Sequence, residues 1–248
     1  SKVNDQIKEV KKLLEQAQEQ NNQDAIEELQ KELNTLNSKI FKPIFGCEMY
    51  VAKESLHTHV DKKDTGRHLV VLAKNETGYH NLVKIVSQAW TEGFYSHPRT
   101  DKKALAEHHE GLIVCSACLG GEIPRLIQAG DIEEAEKQVK WFKDTFGDDY
   151  YIEIQRHKTN LPGANTEVFE RQQEVNPELI RIARKFDIKI VATNDVHFVN
   201  EDDADAHDRL ICVSTNKAVD DPMRMRYTKQ EWLKSQSEMN DIFSDIPE

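Results

Sequence analysis

Glu48 stands in the middle of Pro43-Ile44-Phe45-Gly46-Cys47-Glu48-Met49-Tyr50-Val51. Alternation along a strand puts Ile44, Gly46, Glu48 and Tyr50 on one face and Phe45, Cys47, Met49 and Val51 on the other. A carboxylate inside an apolar strand is costly unless it is paired or binds a cation, so the choice lies between a metal ligand and a buried salt bridge. His68 opens the apolar run His68-Leu69-Val70-Val71-Leu72-Ala73. A lone imidazole there is more often a hydrogen-bonded strand-end residue, although imidazole is also the commonest transition-metal ligand. Cys118 follows Leu112 to Val114 and precedes Gly120 and Gly121, at the carboxyl end of a strand, where sites in parallel α/β folds assemble. The strongest local signal is Val191-Ala192-Thr193-Asn194-Asp195-Val196-His197. Asp195 and His197 share one side of an extended chain and can grip one ion or two adjacent ions; the competing reading is a polar loop after a strand.

Other pairs have the residue types without the setting. His57-Thr58-His59 lies among Lys53, Glu54, Asp61, Lys62, Lys63, Asp64 and Gly66, which reads as a solvated loop between strands. Cys115 and Cys118 have C-x-x-C spacing, but on a strand their sulfurs face opposite sides and no second pair completes a zinc finger. Cys115 is therefore assigned to the core. His108-His109 closes a helix, where cations suit the negative end of the dipole.

These residues need a scaffold, and the chain alternates short β-rich runs with helical stretches, the pattern of βαβ units with parallel strands. The expected strands are Pro43 to Val51, Arg67 to Ala73, Gly111 to Ala117, Tyr150 to Gln155 and Lys189 to Thr193. Asn75 and Asp131 are N-cap candidates for the helices between them, and Asn176-Pro177 reads as a further helix start. Residues 1 to 41 differ: Val3, Ile7, Val10, Leu14 and Ala17, then Ile26, Leu29, Leu33, Leu36 and Ile40, form two stripes whose phase breaks at Asn21 and Asn22. Two antiparallel helices are expected.

With 38% hydrophobic and 31% charged residues over 248, the balance is that of a soluble globular chain. No run approaches the roughly 20 apolar residues a membrane helix needs, and a cytoplasmic protein is expected. The formal net charge of -11 argues against an autonomous nucleic-acid binder, which normally carries a basic patch. Four cysteines make no dense disulfide framework. The first residue is Ser1 rather than Met, so a piece of a longer protein is expected.

Taken in order, KPIFGCEMYV, RHLVVLAKNETGYHNL, EGLIVCSACLGGEIPR, YYIEI, ATNDVHFV and a DDP near the end resemble the PHP (polymerase and histidinol phosphatase) domain of bacterial DNA polymerase III alpha subunits. The resemblance implies a distorted β/α barrel whose strand ends hold divalent metals, zinc or manganese, with Mg in the separate polymerase site. Family ligands carry over onto Glu48, His68, Cys118, Asp195 and His197. It also departs from the family pattern: an H-x-H strand and a strand ending in Asp-His, which precede the Glu strand in the family, are not in this chain.

The expected fold is thus α/β, a partial, distorted β/α barrel lacking its first two strands. A helical hairpin insertion spans 1–41, the partial PHP domain 42–219, and a connection towards a polymerase core 220–248. The resemblance implies a parent DNA-directed DNA polymerase with metal-assisted phosphodiester hydrolysis and 3'-5' proofreading in its PHP domain. Partners in that parent are DNA and other replicase subunits such as a proofreading exonuclease subunit. The chain alone is expected to bind metal weakly or partially, to hydrolyse nothing usefully, and to dimerise, swap elements or cover an exposed strand edge with its N-terminal hairpin. Two alternatives stay open at this point: a stand-alone phosphoesterase of histidinol phosphatase type, and a non-catalytic docking module.

Overall fold

The structure, a computed structural model, describes residues 2–40, 43–58 and 65–246. The boundary expected at 41–42 and the second histidine of the His57-Thr58-His59 pair lie outside the described residues. Contacts divide the chain into two compact units, Ser1–Ile44 and Phe45–Glu248.

In the first unit, α1 (Lys2–Glu19) and α2 (Gln23–Asn37) bury the two apolar stripes against each other. Ile7, Val10 and Leu14 meet Leu33 and Leu36, with Val3, Ile26 and Leu29 at the margin. The turn forms where the phase breaks. Asn21 takes φ 50°, a left-handed conformation asparagine tolerates better than most residues, and the Asn22 side chain caps α2 by accepting from the Ala25 amide at 3.3 Å.

The second unit is built on a seven-stranded sheet. Its strands are β1 (Gly46–Val51), β2 (Arg67–Ala73), β3 (Phe94–Tyr95), β4 (His97–Thr100), β5 (Leu112–Cys115), β6 (Tyr150–Ile154) and β7 (Lys189–Ala192), in the order β3-β4-β1-β2-β5-β6-β7. The all-parallel expectation is corrected here. β2 runs antiparallel to both neighbours, β1 and β5, while β1–β4, β5–β6 and β6–β7 are parallel. Among the described residues no helix separates β1 from β2, so the chain can return beside its own strand without the crossover a parallel pair requires. β3 and β4, two and four residues long, are too short for a readable alternation.

Helices α3 (Glu76–Thr91), α4 (Lys102–Glu107), α5 (Glu122–Gln128), α6 (Ile132–Phe146), α7 (Glu167–Lys185), α8 (Ala204–Thr215) and α9 (Gln236–Ile242) complete the unit. Asn75 and Asp131 cap α3 and α6 by accepting from the amides of Gly78 (2.9 Å) and Glu134 (3.2 Å). α7 does not open at Asn176-Pro177 but begins nine residues earlier, with Pro177 inside it. Proline removes one donor from the helix. Burial of Gln172 and Val175 in the first half offsets that loss, and the Asn176 side-chain amide donates to the Gln155 carbonyl at 3.0 Å rather than starting the helix.

The core lies between sheet and helices, with Val71, Ile85, Val114, Val139, Ile152 and Ile182 fully buried. Phe142 of α6 stacks on Tyr150 of β6 at 5.0 Å between ring centroids. The last segment joins the same core: Phe243 is buried in it, and Met239, Ile242 and Ile246 pack against it. No helix among the described residues is long and apolar enough to cross a membrane.

Candidate metal centre

Register brings the first two donors together. Glu48 pairs with Val70 and Tyr50 with His68, so Glu48 and His68 are diagonal neighbours on one sheet face. The Glu48 Oε1 lies 2.8 Å from His68 Nδ1. That face is open: Glu48 is exposed, whereas Met49 and Val51 on the opposite face are buried. The carboxylate is therefore not locked in a buried salt bridge.

Cys118 completes the group. β5 ends at Cys115, the backbone turns through Ala117 in a left-handed conformation (φ 63°), and the Cys118 sulfur comes within 3.5 Å of the same His68 Nδ1. The Gly120 amide donates to that sulfur at 3.4 Å, while the Gly120 carbonyl accepts from the His68 amide at 3.2 Å. A Cβ on Gly120 would stand 2.9 Å from His68 Nδ1, so only glycine lets the loop lie flat against the ring. Tyr50 packs edge-on to the ring at 5.1 Å.

The donor atoms of Glu48, His68 and Cys118 all lie within 4.8 Å of one another. Oxygen, imidazole nitrogen and thiol sulfur in that space fit a divalent ion of the zinc type. Without an ion, His68 holds a proton between two acceptors. The hydrogen bonds to Cys118 and Glu48 outweigh burial and raise its pKa to about 10, and the same imidazole holds the Glu48 carboxyl below its usual range.

Asp195 and His197 are outside that close group. Asp195 lines a cleft of about 790 Å³ together with Cys118 and Gly120. Burial, only partly countered by the field of His197, pushes its carboxyl upward. The two residues do not continue β7 as an extended pair, because Asp195 has φ 45°. His197 is turned by this: its Nδ1–H donates to the Asp195 carbonyl at 2.6 Å, and the Tyr227 hydroxyl donates to Nε2 at 3.2 Å. A later segment sets this geometry. The Asn194 side-chain amide donates to the carbonyls of Gln230 and Trp232, and the His197 amide donates to the Glu231 carbonyl at 2.8 Å.

Three polar groups around the site were not singled out from sequence. Glu153 is buried in β6 with both carboxylate oxygens engaged, by the Ala117 amide and the Thr193 hydroxyl. His157 is buried just past β6; the Gln172 amide donates to its Nδ1 at 3.0 Å, and its Nε2–H donates to the Asn194 carbonyl at 3.1 Å. Burial holds its pKa below the usual value, so it is a neutral brace for the Asn194–Asp195 turn. The reasoning applied to Glu48 and Cys118, a carboxylate within a strand and a donor at a strand end, points equally to Glu153 and His157. Tyr227, in a stretch without periodicity, carries no such signal.

The C-x-x-C expectation is corrected: β5 ends at Cys115, and the register Val70↔Cys115 puts Cys115 on the Glu48 face rather than opposite Cys118. Cys115 is buried, and desolvation raises its thiol to about 12. His109 Nδ1–H donates to the Ala106 carbonyl at 2.8 Å at the end of α4. His57 is exposed and faces Glu92 at 3.7 Å.

A mixed α/β unit that gathers a carboxylate, an imidazole and a thiol where strands meet loops is a scaffold for a metal-dependent site. The chain belongs to the PHP domain family, which matches residues 3–157; Asp195 and His197 lie beyond that match. Over 84% of its length the chain is 43% identical to the DNA polymerase III subunit alpha of Borreliella burgdorferi, and over 84% it is 41% identical to that of Treponema pallidum. It is 43% identical, over 80% of its length, to the same subunit from Thermus aquaticus. The chain spans only 17% of the first two relatives and 16% of the third.

Proposed function

We propose that this chain acts within a replicative DNA polymerase III alpha subunit as a PHP domain that holds a divalent metal for phosphodiester hydrolysis. One observation carries the reading: Glu48, His68 and Cys118, 70 positions apart in sequence at their extremes, bring unlike donor atoms within 4.8 Å. In this reading Glu48, His68 and Cys118 ligate first, and Asp195 and His197 add donors from across the cleft. Such an ion supplies Lewis acidity, acidifying water and stabilising the charge that develops on a phosphoryl group.

The protein groups set the conditions for that chemistry. Glu48 and Cys118 hold the His68 ring from two sides and must receive the metal in place of the His68 proton. The Asp195 carbonyl orients His197 through Nδ1–H, leaving Nε2, on which the Tyr227 hydroxyl now rests, as the atom that would turn to an ion, and Glu153 and His157 fix the loops that present Cys118 and Asp195. Zinc suits the thiol and imidazole better than the harder manganese ion does. We read the sheet as part of a distorted β/α barrel, with a hairpin at 1–41, the PHP portion at 42–219 and a connection at 220–248. The whole protein would act on DNA with other replicase subunits in the cytoplasm, its PHP domain contributing 3'-5' proofreading. Three converged donors support a partial site in this chain, weak in hydrolysis by itself, and a sheet that ends in β3 and β7 rather than closing on itself among the described residues supports a dimer.

Cobalt titration tests the metal assignment, since a cysteine ligand gives a thiolate charge-transfer band. One equivalent of Co(II) should produce that band in the parent chain, and Cys118→Ser should abolish it. Absence of the band in the parent, or its survival in Cys118→Ser, overturns the assignment.

A further inference from the structure

The cleft shared by Cys118 and Asp195 is positively charged although the chain as a whole carries -11. Five arginines and two carboxylates, Asp195 and Glu231, line it. Two of the arginines are neutralised: Arg171 pairs with Glu167, and Arg224 with Asp208 at 2.6 Å. Arg67, Arg125 and Arg226 make no ion pair among the described residues. Arg67 opens β2 next to His68, Arg125 lies on α5 one turn beyond the Gly120–Gly121 loop, and Arg226 comes from the segment after α8. Three separate elements thus bring to one cavity guanidinium groups that have no ion pair among the described residues.

The arrangement has a visible cost. Burial and the positive field of Arg67 hold the Arg125 pKa below its usual value, and the buried Arg226 Nε has no hydrogen-bond partner. Glu231 makes no ion pair with these arginines among the described residues; its oxygens accept from the Thr228 amide and hydroxyl and from the Gln230 amide. Elsewhere in the chain arginines find carboxylates, as Arg156 does with Asp245 and Arg181 with Glu136 and Glu178. Like charges left facing one another in a cleft repel unless an anion enters, and the guanidinium fork matches the oxygens of phosphate.

We propose that Arg67, Arg125 and Arg226 form a seat for a phosphate group beside the Glu48–His68–Cys118 cluster. The seat deepens the hydrolase reading, and rests on it for its role, by naming the residues that hold substrate phosphate next to the metal. All three line the cleft that Cys118 and Asp195 also line, and Arg67 directly precedes His68. Binding of the anion itself does not depend on the metal.

The test is calorimetric titration of inorganic phosphate into the metal-stripped full chain at low ionic strength. Arg67→Gln/Arg125→Gln should lose at least tenfold in affinity and Arg226→Gln several-fold, whereas Arg171→Gln should stay within twofold of the parent. Unchanged affinity in the double variant overturns the seat, as does an equal loss in Arg171→Gln, which would mean diffuse charge. Should the double variant melt early, Arg125→Lys keeps the charge but loses the fork; it must then bind phosphate several-fold more weakly, and parental affinity sinks the proposal. A single-stranded oligothymidylate distinguishes the sources. Competition with phosphate, lost in the same variants, assigns the seat to a strand phosphate; no competition, with phosphate binding still arginine-dependent, supports a seat for free phosphate. A chain that binds phosphate but takes up no metal breaks the hydrolase reading alone. Metal uptake with arginine-independent phosphate binding breaks the seat alone.

Discussion

Glu153 accepts the Thr193 hydroxyl proton at 2.8 Å, and through its second oxygen it also accepts the Ala117 amide. Thr193 lies two residues before Asp195, and Ala117 immediately precedes Cys118. One buried carboxylate therefore ties the two loops that carry donor groups, and it holds Ala117 in its left-handed conformation (φ 63°).

Replacing Glu153 by Gln should loosen both loops. Glutamine can accept from the Ala117 amide, but its NH2 cannot accept the Thr193 proton, and an unsatisfied buried donor costs about 1–3 kcal/mol. Burial raises the Glu153 pKa despite its two donors. Its neutral form therefore favours folding below the ordinary carboxyl pKa, and that contribution is lost as pH rises through the raised value. Denaturant melts from pH 4 to 8 should show a parent that loses part of its stability just above the ordinary range and a Glu153→Gln variant, less stable overall, that lacks this step.

Gly120→Ala should reduce metal affinity at least tenfold with little change in overall stability. The added methyl meets the His68 ring at 2.9 Å from Nδ1 and pushes it from Glu48 and Cys118, while the core on the other sheet face is untouched. Competition against a colorimetric chelator measures the affinity. A variant that binds zinc like the parent would remove Gly120 from the site's design.

Metal uptake should release protons. His68 is protonated at neutral pH because Cys118 and Glu48 raise its pKa to about 10, and the proton must leave before Nδ1 can ligate. Affinity should accordingly climb as pH rises from 6 to 9, and calorimetry in buffers of different ionisation enthalpy should report at least one proton given up per ion, from His68 and from the Cys118 thiol. In the metal-free chain the sign of the linkage is opposite. The raised pKa stabilises the fold fully below the ordinary histidine value of 6.5, and the contribution fades as pH rises through about 10. A proton count of zero would mean that His68 Nδ1 is not a ligand.

The cysteines should separate by environment. Cys115 and Cys212, both buried, should resist iodoacetamide in the folded chain because the reagent cannot reach them, and burial also raises the Cys115 thiol to about 12, away from the reactive thiolate. Cys118 should be alkylated, and zinc should protect it. Peptide mass mapping reads both results; protection of Cys118 that persists in Glu48→Ala/His68→Ala would point to shielding by something other than a shared metal.

Several elements were legible because local chemistry alone dictates them. The hairpin followed from two stripes and an asparagine turn, the Asn75 and Asp131 caps from side chains that satisfy backbone donors three residues on, and the strands β1, β2, β5, β6 and β7 from apolar runs of the right length. The burial of Cys115 followed from its place in an apolar run, but its face did not, because the strand ends before Cys118. Glu48, His68 and Cys118 were candidates for the same reason: polar donors at positions where a strand would otherwise be apolar. Strand direction was not legible, since alternation is identical in parallel and antiparallel pairs and the choice depends on which neighbour each strand meets. Nor was the start of α7, where burial of Gln172 and Val175 overrode the signal of Asn176-Pro177.

Residue types and local pattern settle which side chains could bind a cation and which segments could present them. Only the tertiary structure decided that His68 lies diagonal to Glu48, that the Gly120 loop brings Cys118 onto the same ring, and that Asp195 turns away from an extended course. It alone gathered in one cleft three arginines with no ion pair among the described residues. Proximity between residues far apart in the chain is a property of packing and register, and neither is encoded at any single position.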